Sequence, residues 1–469
     1  MAEKLRKALG FRDVVLFYIV SGLSLRWIAT AAASGQSAIA VWVLAWCGFF
    51  LPLAGCVLEL SSRFPQEGGL YVWTREAYGE FAGFMAAWTY WMSNLPYFAA
   101  VLYFAAGSLL FTTGRLQHLA DSNVYYLVFT ITMLGLITLL NVLGLNIGKW
   151  LNNLGAIGMA LPVLILILLG GLSFSRFGSA THFTWGGAIP HAQVRDLIFW
   201  STIFFAFSGC ECASFMGDEI KDARRTVPRA LLTAGVLITV AYIAGTVAML
   251  VALPSSSLSG LGGFMTVIDS LCRRLGMAAL VVPVAILVGF SNVGAAAAYL
   301  SSTARLPFVV GIHHYLPAVF GRIHPRWKTP YVAILFYGVA GILFGWLSEA
   351  GASVKGTYDM LVSMTVISYF IPFLFLFAAM IRLQWRAFPA DAVRLPGGKR
   401  FAIPLACVGF FSTTAAIILS LFPAEDERNP GAALFKLIAM TVVLLISGVA
   451  VYLRGRRSII RAALEGEVA

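Results

Sequence analysis

Arg26 and Glu211 are charged residues set deep in apolar stretches, Tyr18–Ala32 ("YIVSGLSLRWIATAA") and Phe204–Glu211 ("FFAFSGCE"). A guanidinium presents a rigid fork of donors that suits a carboxylate, and a buried carboxyl can accept hydrogen bonds or carry a proton. Beside them stand small residues: Ser21, Gly22 and Ser24 before Arg26, and Ser208 and Gly209 before Glu211. Such residues interrupt a helix and leave bare peptide groups that bind charge. Asn94 and Asn292 are the deepest of the other intramembrane polar groups, with Tyr90, Trp91, Ser93, Ser291 and Tyr369 near them in sequence. Asn more often serves as interhelical glue and Tyr or Trp as interfacial anchors.

Enzyme chemistry has little support. All six histidines (His118, His182, His191, His313, His314 and His324) fall in loops, and none has metal-ligand spacing. No nucleophile elbow or phosphate loop is present. Arg26, Glu59 and Glu211 are a thin set for an intramembrane acid–base catalyst. No metal and no cofactor is expected. Five of the six cysteines lie in apolar runs without framework spacing and read as packing residues.

The elements that must position these groups are long apolar helices. The 469 residues are 59% hydrophobic and 12% charged, with a mean hydropathy of +0.85. A soluble domain of this size needs far more charge to cover its surface. About twelve helical spans are expected, at 14–34, 38–62, 81–111, 124–144, 152–173, 196–217, 231–254, 277–303, 330–349, 357–381, 402–422 and 432–453. The fold class is an all-α polytopic membrane protein. The basic start "MAEKLRKALGFRD" superficially resembles a signal peptide, but the segment after it reads as a retained first helix. The whole chain reads as one membrane domain.

Of the 33 Lys and Arg, 24 fall in loops on the side of the N-terminus, among them Arg224, Arg225, Arg326, Arg394 and Arg456, and eight fall on the opposite side. By the positive-inside rule both termini are cytoplasmic in a multi-pass protein of the cell membrane. The net charge of +12 then reflects topology and contact with the anionic lipid bilayer, with no nucleic-acid partner. This placement leaves one cation over: Arg26 is the Lys or Arg well inside a span, which marks it as a functional candidate.

The two interruptions lie in the first and sixth spans, the offset of two five-helix repeats. The chain divides on that basis into 1–173, 196–381 and a C-terminal pair at 402–453. Paired interruptions in corresponding helices point to a binding site between repeats.

Three loops carry a resemblance: "ELSSRFPQEGGLYVWTREAYGEFAGF", "FFAFSGCECASFMGDEIKDARRTVPRAL" and "ARLPFVVGIHHYLPAVFGRIHPRWKTPYVAIL". In order and position they resemble the amino acid–polyamine–organocation (APC) superfamily of permeases. "RFPQEGGLYVW" and the "SLR" of the first span also resemble its glutamate/GABA antiporter branch. The resemblance implies the leucine-transporter-like inverted repeat and secondary active transport of an amino acid or amine by alternating access. Pro65 to Gly69 would form part of an inner gate, with ion pairs among Glu219, Lys221, Arg225 and Arg229 below it. The backbone at Ser21, Gly22, Leu23 and Ser24 would hold a substrate carboxylate, and carbonyls at Phe205, Ala206 and Ser208, opposite Val20, its ammonium group. Phe207 would be the aromatic lid. Arg26 would either pair with Glu211 or meet a second substrate carboxylate.

Many relatives carry a lysine on the fifth span, and Met159 takes its place here. Ser291 is the clearest oxygen for a sodium site, with Ser301 and Ser302 nearer the helix end. Exchange of one amino acid for another fits these absences, and a coupling proton carried by Glu211 stays open. Two alternatives to a transporter remain: an amino-acid sensor on the same fold, and a non-transporting membrane enzyme or scaffold.

Overall fold

The computed structural model describes residues 10–64, 68–143, 148–190, 194–209, 211, 220–258, 261–304, 315–327, 329–348, 353–389, 392–422 and 430–464. The elements that matter for the site are α1 (Phe11–Gly22) and α2 (Leu25–Ala33), followed by α3 (Ala38–Ala45) and α4 (Leu51–Arg63). Next come α5 (Leu70–Tyr78), α6 (Glu80–Met92), α7 (Asn94–Leu109), α8 (Asn123–Val142) and α9 (Gly148–Phe177). The second half holds α10 (Trp185–Ala188), α11 (Val194–Phe205), α12 (Ala223–Ala252), α13 (Gly263–Arg274) and α14 (Val281–Thr303). It ends with α15 (Tyr331–Ser348), α16 (Val354–Leu383), α17 (Lys399–Ser420) and α18 (Pro430–Leu464).

Among the described residues, ten helices are long and apolar enough to cross a membrane, and the bent pair α1–α2 makes eleven. The protein is therefore an all-α, multi-pass membrane protein. The expected spans at 14–34 and 38–62 appear as α1–α2 and as Gly35–Arg63, and the later ones agree similarly. The expected span 196–217 appears only as α11, which stops at Phe205, and residues 212–219 lie outside the described set.

Burial separates the centre from the rim. The most apolar stretch of Glu80–Thr112 is 78% buried within the protein, whereas that of Pro430–Arg461 is 17% buried. Phe290, Phe411 and Phe435 point outward, as expected of side chains facing lipid rather than a protein core. Lipid supplies no hydrophobic drive between helices, so close packing at small residues holds them together. A β-carbon at Gly170 would come within 2.7 Å of the Ala248 side chain, and one at Gly158 within 2.7 Å of Ser291. The first contact locks α9 to α12 and the second locks α9 to α14. Gly68 and Gly69 both take positive φ (118° and 42°), a conformation that glycine adopts freely, in the "PQEGG" turn, whose residues 65–67 lie outside the described set.

Candidate functional site: two helix breaks and the cavity between them

The first break has a local cause. The Ser21 hydroxyl donates back to the carbonyls of Phe17 (3.0 Å) and Tyr18 (3.3 Å), competing with the helical ladder at its last turn. Leu23 and Ser24 then take extended conformations (φ −87°, ψ 127° and φ −142°, ψ 128°), and α2 restarts bent by 44° from α1.

Because every buried peptide group needs a partner, the groups released by the break can be accounted for one by one. Ser21 and Gly22 lie within α1, and the Leu23 amide donates to Ile19 O at 2.9 Å. The Ser24 amide donates to the Tyr242 hydroxyl at 3.1 Å, and the Trp27 amide to Ser24 O at 3.2 Å. The amides of Leu25 and Arg26, the first residues of α2, are left without a helical acceptor behind them. The four amides at Ser21–Ser24 expected to face a carboxylate are thus occupied or inside the helix, and the open pair starts one residue later. On the acceptor side, Ser21 O receives the Tyr299 hydroxyl (2.9 Å) and Gly22 O receives that of Tyr242 (2.6 Å). The carbonyls of Val20 and Leu23 take no donor from the described backbone.

The second break follows α11. Ala206, Phe207 and Ser208 close tight turns onto Ile203 O (3.2 Å), Phe204 O (3.3 Å) and Phe205 O (2.9 Å). Gly209 then takes φ of 100°, a conformation that suits only glycine. It also lies against the first break, where an added β-carbon would sit 2.8 Å from Ser21 O. Gly209→Ala is therefore expected to lose transport, since backbone strain of about 1–3 kcal/mol combines with a clash against main chain that cannot swing aside. Gly22→Ala, whose β-carbon would meet only the tip of Ile238 at 2.9 Å, is expected to keep most activity. Comparing the two variants in proteoliposomes checks this pair.

A tyrosine ties the breaks together. The hydroxyl of Tyr242, on α12, accepts from Ser24 N–H and shares its proton between Gly22 O and Ala206 O (3.1 Å to the latter). Its ring stacks on Trp42 (centroids 4.4 Å apart, planes 8° apart), and Trp42 is itself fixed by Nε1–H donation to Thr246 Oγ1 at 3.0 Å.

Between the breaks is a cavity of about 30 Å³. Val20 to Ser24, Arg26, Phe205, Ala206, Ser208 and Asn292 line it, with Trp27, Tyr97, Met159, Tyr299 and Tyr369 completing the wall. Most of the expected site residues are therefore brought together. Asn292 is fully buried, and its Nδ2 donates to Val288 O at 2.8 Å while its Oδ1 has no partner among the described residues. Phe205 meets Trp27 and Tyr369 edge-on (5.4 and 5.3 Å).

Four expectations change. Phe207, expected as the lid, packs against Trp42, Phe50 and Tyr242 (5.6, 5.7 and 5.8 Å) and does not line the cavity, so the aromatic of this segment that does is Phe205. The turn after Phe205 swings residue 207 to the far side. Asn94 is also outside the lining, with its Nδ2 donating to Tyr90 O at 3.0 Å across the junction of α6 and α7. Ser291 turns its hydroxyl to Val288 O (3.0 Å) and packs on Gly158, away from the cavity.

The fourth concerns the charged pair. Glu211 does not pair with Arg26: its Oε1 accepts from Tyr90 (3.0 Å) and Tyr369 (2.8 Å), and its Oε2 from the Gly209 amide (3.1 Å). One carboxylate thus ties the second break to α6 and α16. Arg26 is 2% exposed, its Nε donates to Ser24 Oγ at 3.3 Å, and its guanidinium lies over the rings of Trp27 (4.6 Å) and Tyr97 (5.3 Å). No carboxylate among the described residues comes within salt-bridge distance of it. Glu59 serves elsewhere, accepting from Gln384 and from the Leu395 amide (3.0 Å) where α4 meets the segment after α16.

Sequence reasoning missed Tyr242, Tyr299, Tyr97 and Trp27. Tyr242 had a usable signal, a tyrosine in mid-span "TVAYIAGT" far from either interface. Met159, named for the place of a lysine, does stand in the cavity wall.

The family pattern described as "Amino acid permease" matches residues 9–447. An uncharacterized transporter of Legionella pneumophila is 25% identical over 434 residues, 92% of this chain and 93% of that protein. The serine/threonine exchanger SteT of Bacillus subtilis is 26% identical, with 82% and 83% covered. The probable agmatine/putrescine antiporter AguD of Lactococcus lactis is 29% identical over 251 residues, 53% of this chain and 52% of that protein.

Proposed function

The chain belongs to the amino acid permease family and is a transporter rather than an enzyme, and we propose that it moves amino acids or related amines across the cell membrane by alternating access, binding them in the cavity between the two breaks. The observation that carries this is the backbone account. The Arg26 amide, in the cavity lining at the positive end of α2, suits a carboxylate, with that of Leu25 next to it in the chain. The carbonyls of Val20 and Leu23, with Oδ1 of Asn292, suit an ammonium group in the same hollow. The aromatic wall of Trp27, Tyr97, Phe205, Tyr299 and Tyr369 would enclose the rest of the substrate.

The cavity holds room for roughly two waters, so an amino acid enters only after the wall opens. The bonds from Tyr90, Tyr369 and Gly209 to Glu211 join three spans at that point, and their breaking and remaking is the natural step of such opening. The two repeats, 1–173 and 196–381, would rock against each other, with both termini cytoplasmic as the Lys and Arg distribution supports.

Exchange is the favoured transport mode. Among the described residues, no Asp, Glu, Lys or His lines the cavity, and Met159 offers a thioether where a titrating lysine would carry a proton. Two of the similar proteins are named as an exchanger and an antiporter.

Purified protein in liposomes loaded with a mixture of unlabelled amino acids tests the reading. Labelled external amino acid should accumulate only when the lumen holds exchangeable substrate, and without a pH or sodium gradient. A sensor would bind the same amino acids with no flux. Accumulation that needs an ion gradient and ignores the lumen would contradict exchange.

A further inference from the structure

Arg26 is the feature that the general permease reading leaves unexplained. A buried cation without a counter-charge is strongly disfavoured, and ring faces offset only part of that cost. Its contacts within the described protein are the Ser24 hydroxyl, the Trp27 and Tyr97 rings and the nearby Tyr358, none of them an anion. In the lining of the same cavity, Oδ1 of Asn292 is a second buried polar atom without a partner among the described residues. One wall therefore lacks an acceptor with negative charge, and another lacks a donor.

We infer that Arg26 receives a carboxylate on the substrate's side chain, so that the transported class is the acidic amino acids. This rests on the cavity being the substrate site. The α-carboxylate already has a place at the amides of Leu25 and Arg26, and the ammonium group has one at the Val20 and Leu23 carbonyls and Asn292 Oδ1. The guanidinium then remains for a second carboxylate, which it can grip with two parallel bonds. An amide side chain offers a single oxygen to the same fork, and a substrate with a distal ammonium would set like charge beside Arg26 in a site with almost no water to screen it.

The test uses full-length protein in liposomes loaded with serine and glutamate, with labelled glutamate or serine outside and with aspartate, glutamine and putrescine as competitors. Wild type should exchange glutamate, aspartate should compete better than glutamine, and putrescine should not compete. Arg26→Gln should lower glutamate exchange roughly 10- to 100-fold and erase the preference for glutamate over glutamine, with a monodisperse elution profile showing that the variant is folded. Arg26→Lys should fall between the two. If the Gln variant does not fold, the wild-type preference for glutamate over glutamine decides. Serine exchange in wild type that glutamate neither joins nor inhibits would overturn the inference, as would an unchanged preference for glutamate over glutamine in a monodisperse Arg26→Gln protein. If wild type exchanges nothing, thermal stabilisation in detergent separates the two ideas. Stabilisation by glutamate over glutamine keeps the acidic class and removes transport, and no stabilisation removes both.

Discussion

Tyr242→Phe is expected to lower substrate exchange about 10- to 100-fold while the protein still purifies as a single species. The hydroxyl serves Ser24 N–H, Gly22 O and Ala206 O at once, so it is the direct link between the two unwound segments. Its loss strands an amide donor and relaxes two carbonyls in a buried place, and an unsatisfied buried group costs about 1–3 kcal/mol. The ring should stay where it is, since its stacking on Trp42 does not depend on the hydroxyl. The damage should therefore appear as a lost alignment of α2 with α11, seen as a raised KM and a lower melting temperature. A Tyr242→Phe protein with wild-type exchange kinetics would show that the tyrosine only fills space.

Glu211→Ala should have the second large effect, abolishing measurable exchange. The hydroxyls of Tyr90 and Tyr369 and the Gly209 amide donate to this carboxyl, and a buried donor left unsatisfied costs about 1–3 kcal/mol. The two tyrosine hydroxyls, 3.1 Å apart, can still bond one another after its removal, but the Gly209 amide is left without its acceptor. Tyr90→Phe and Tyr369→Phe should each cost less, about tenfold, and should not add when combined, because the three side chains act as one unit. Glu211→Gln should fall in between, since one end of an amide cannot accept. Transport rates for the five proteins, each checked for monodispersity, give the order. An Ala variant more active than either Phe variant would remove Glu211 from the mechanism.

The amount readable beforehand differs by level. Span positions were plain because a run of about 20 apolar residues has one common explanation. Both interruptions were also visible, because serine and glycine beside a charge break the expected apolar pattern in two spans. Partners were the part that sequence could not supply. Tyr90, Tyr369 and Glu211 were each noticed, yet their meeting needs α6, α16 and the segment after α11 to converge, which no single-helix pattern states. Leu23 and Ser24 show a subtler limit. The break was placed correctly to within a residue, but which amides stay open depends on where α1 makes its last bond, Leu23 N to Ile19 O. That the ring of Phe205 rather than that of Phe207 faces the hollow was hidden for a similar reason, since tight turns decide it.

A structure determined with bound substrate tests the central claim most directly. The amino acid should lie between Val20–Ser24 and Phe205–Ser208, its α-carboxylate at the amides of Leu25 and Arg26 and its ammonium group toward the Val20 carbonyl. Substrate density elsewhere in the protein, with this hollow empty or the first span straightened through residues 23 and 24, would contradict the account.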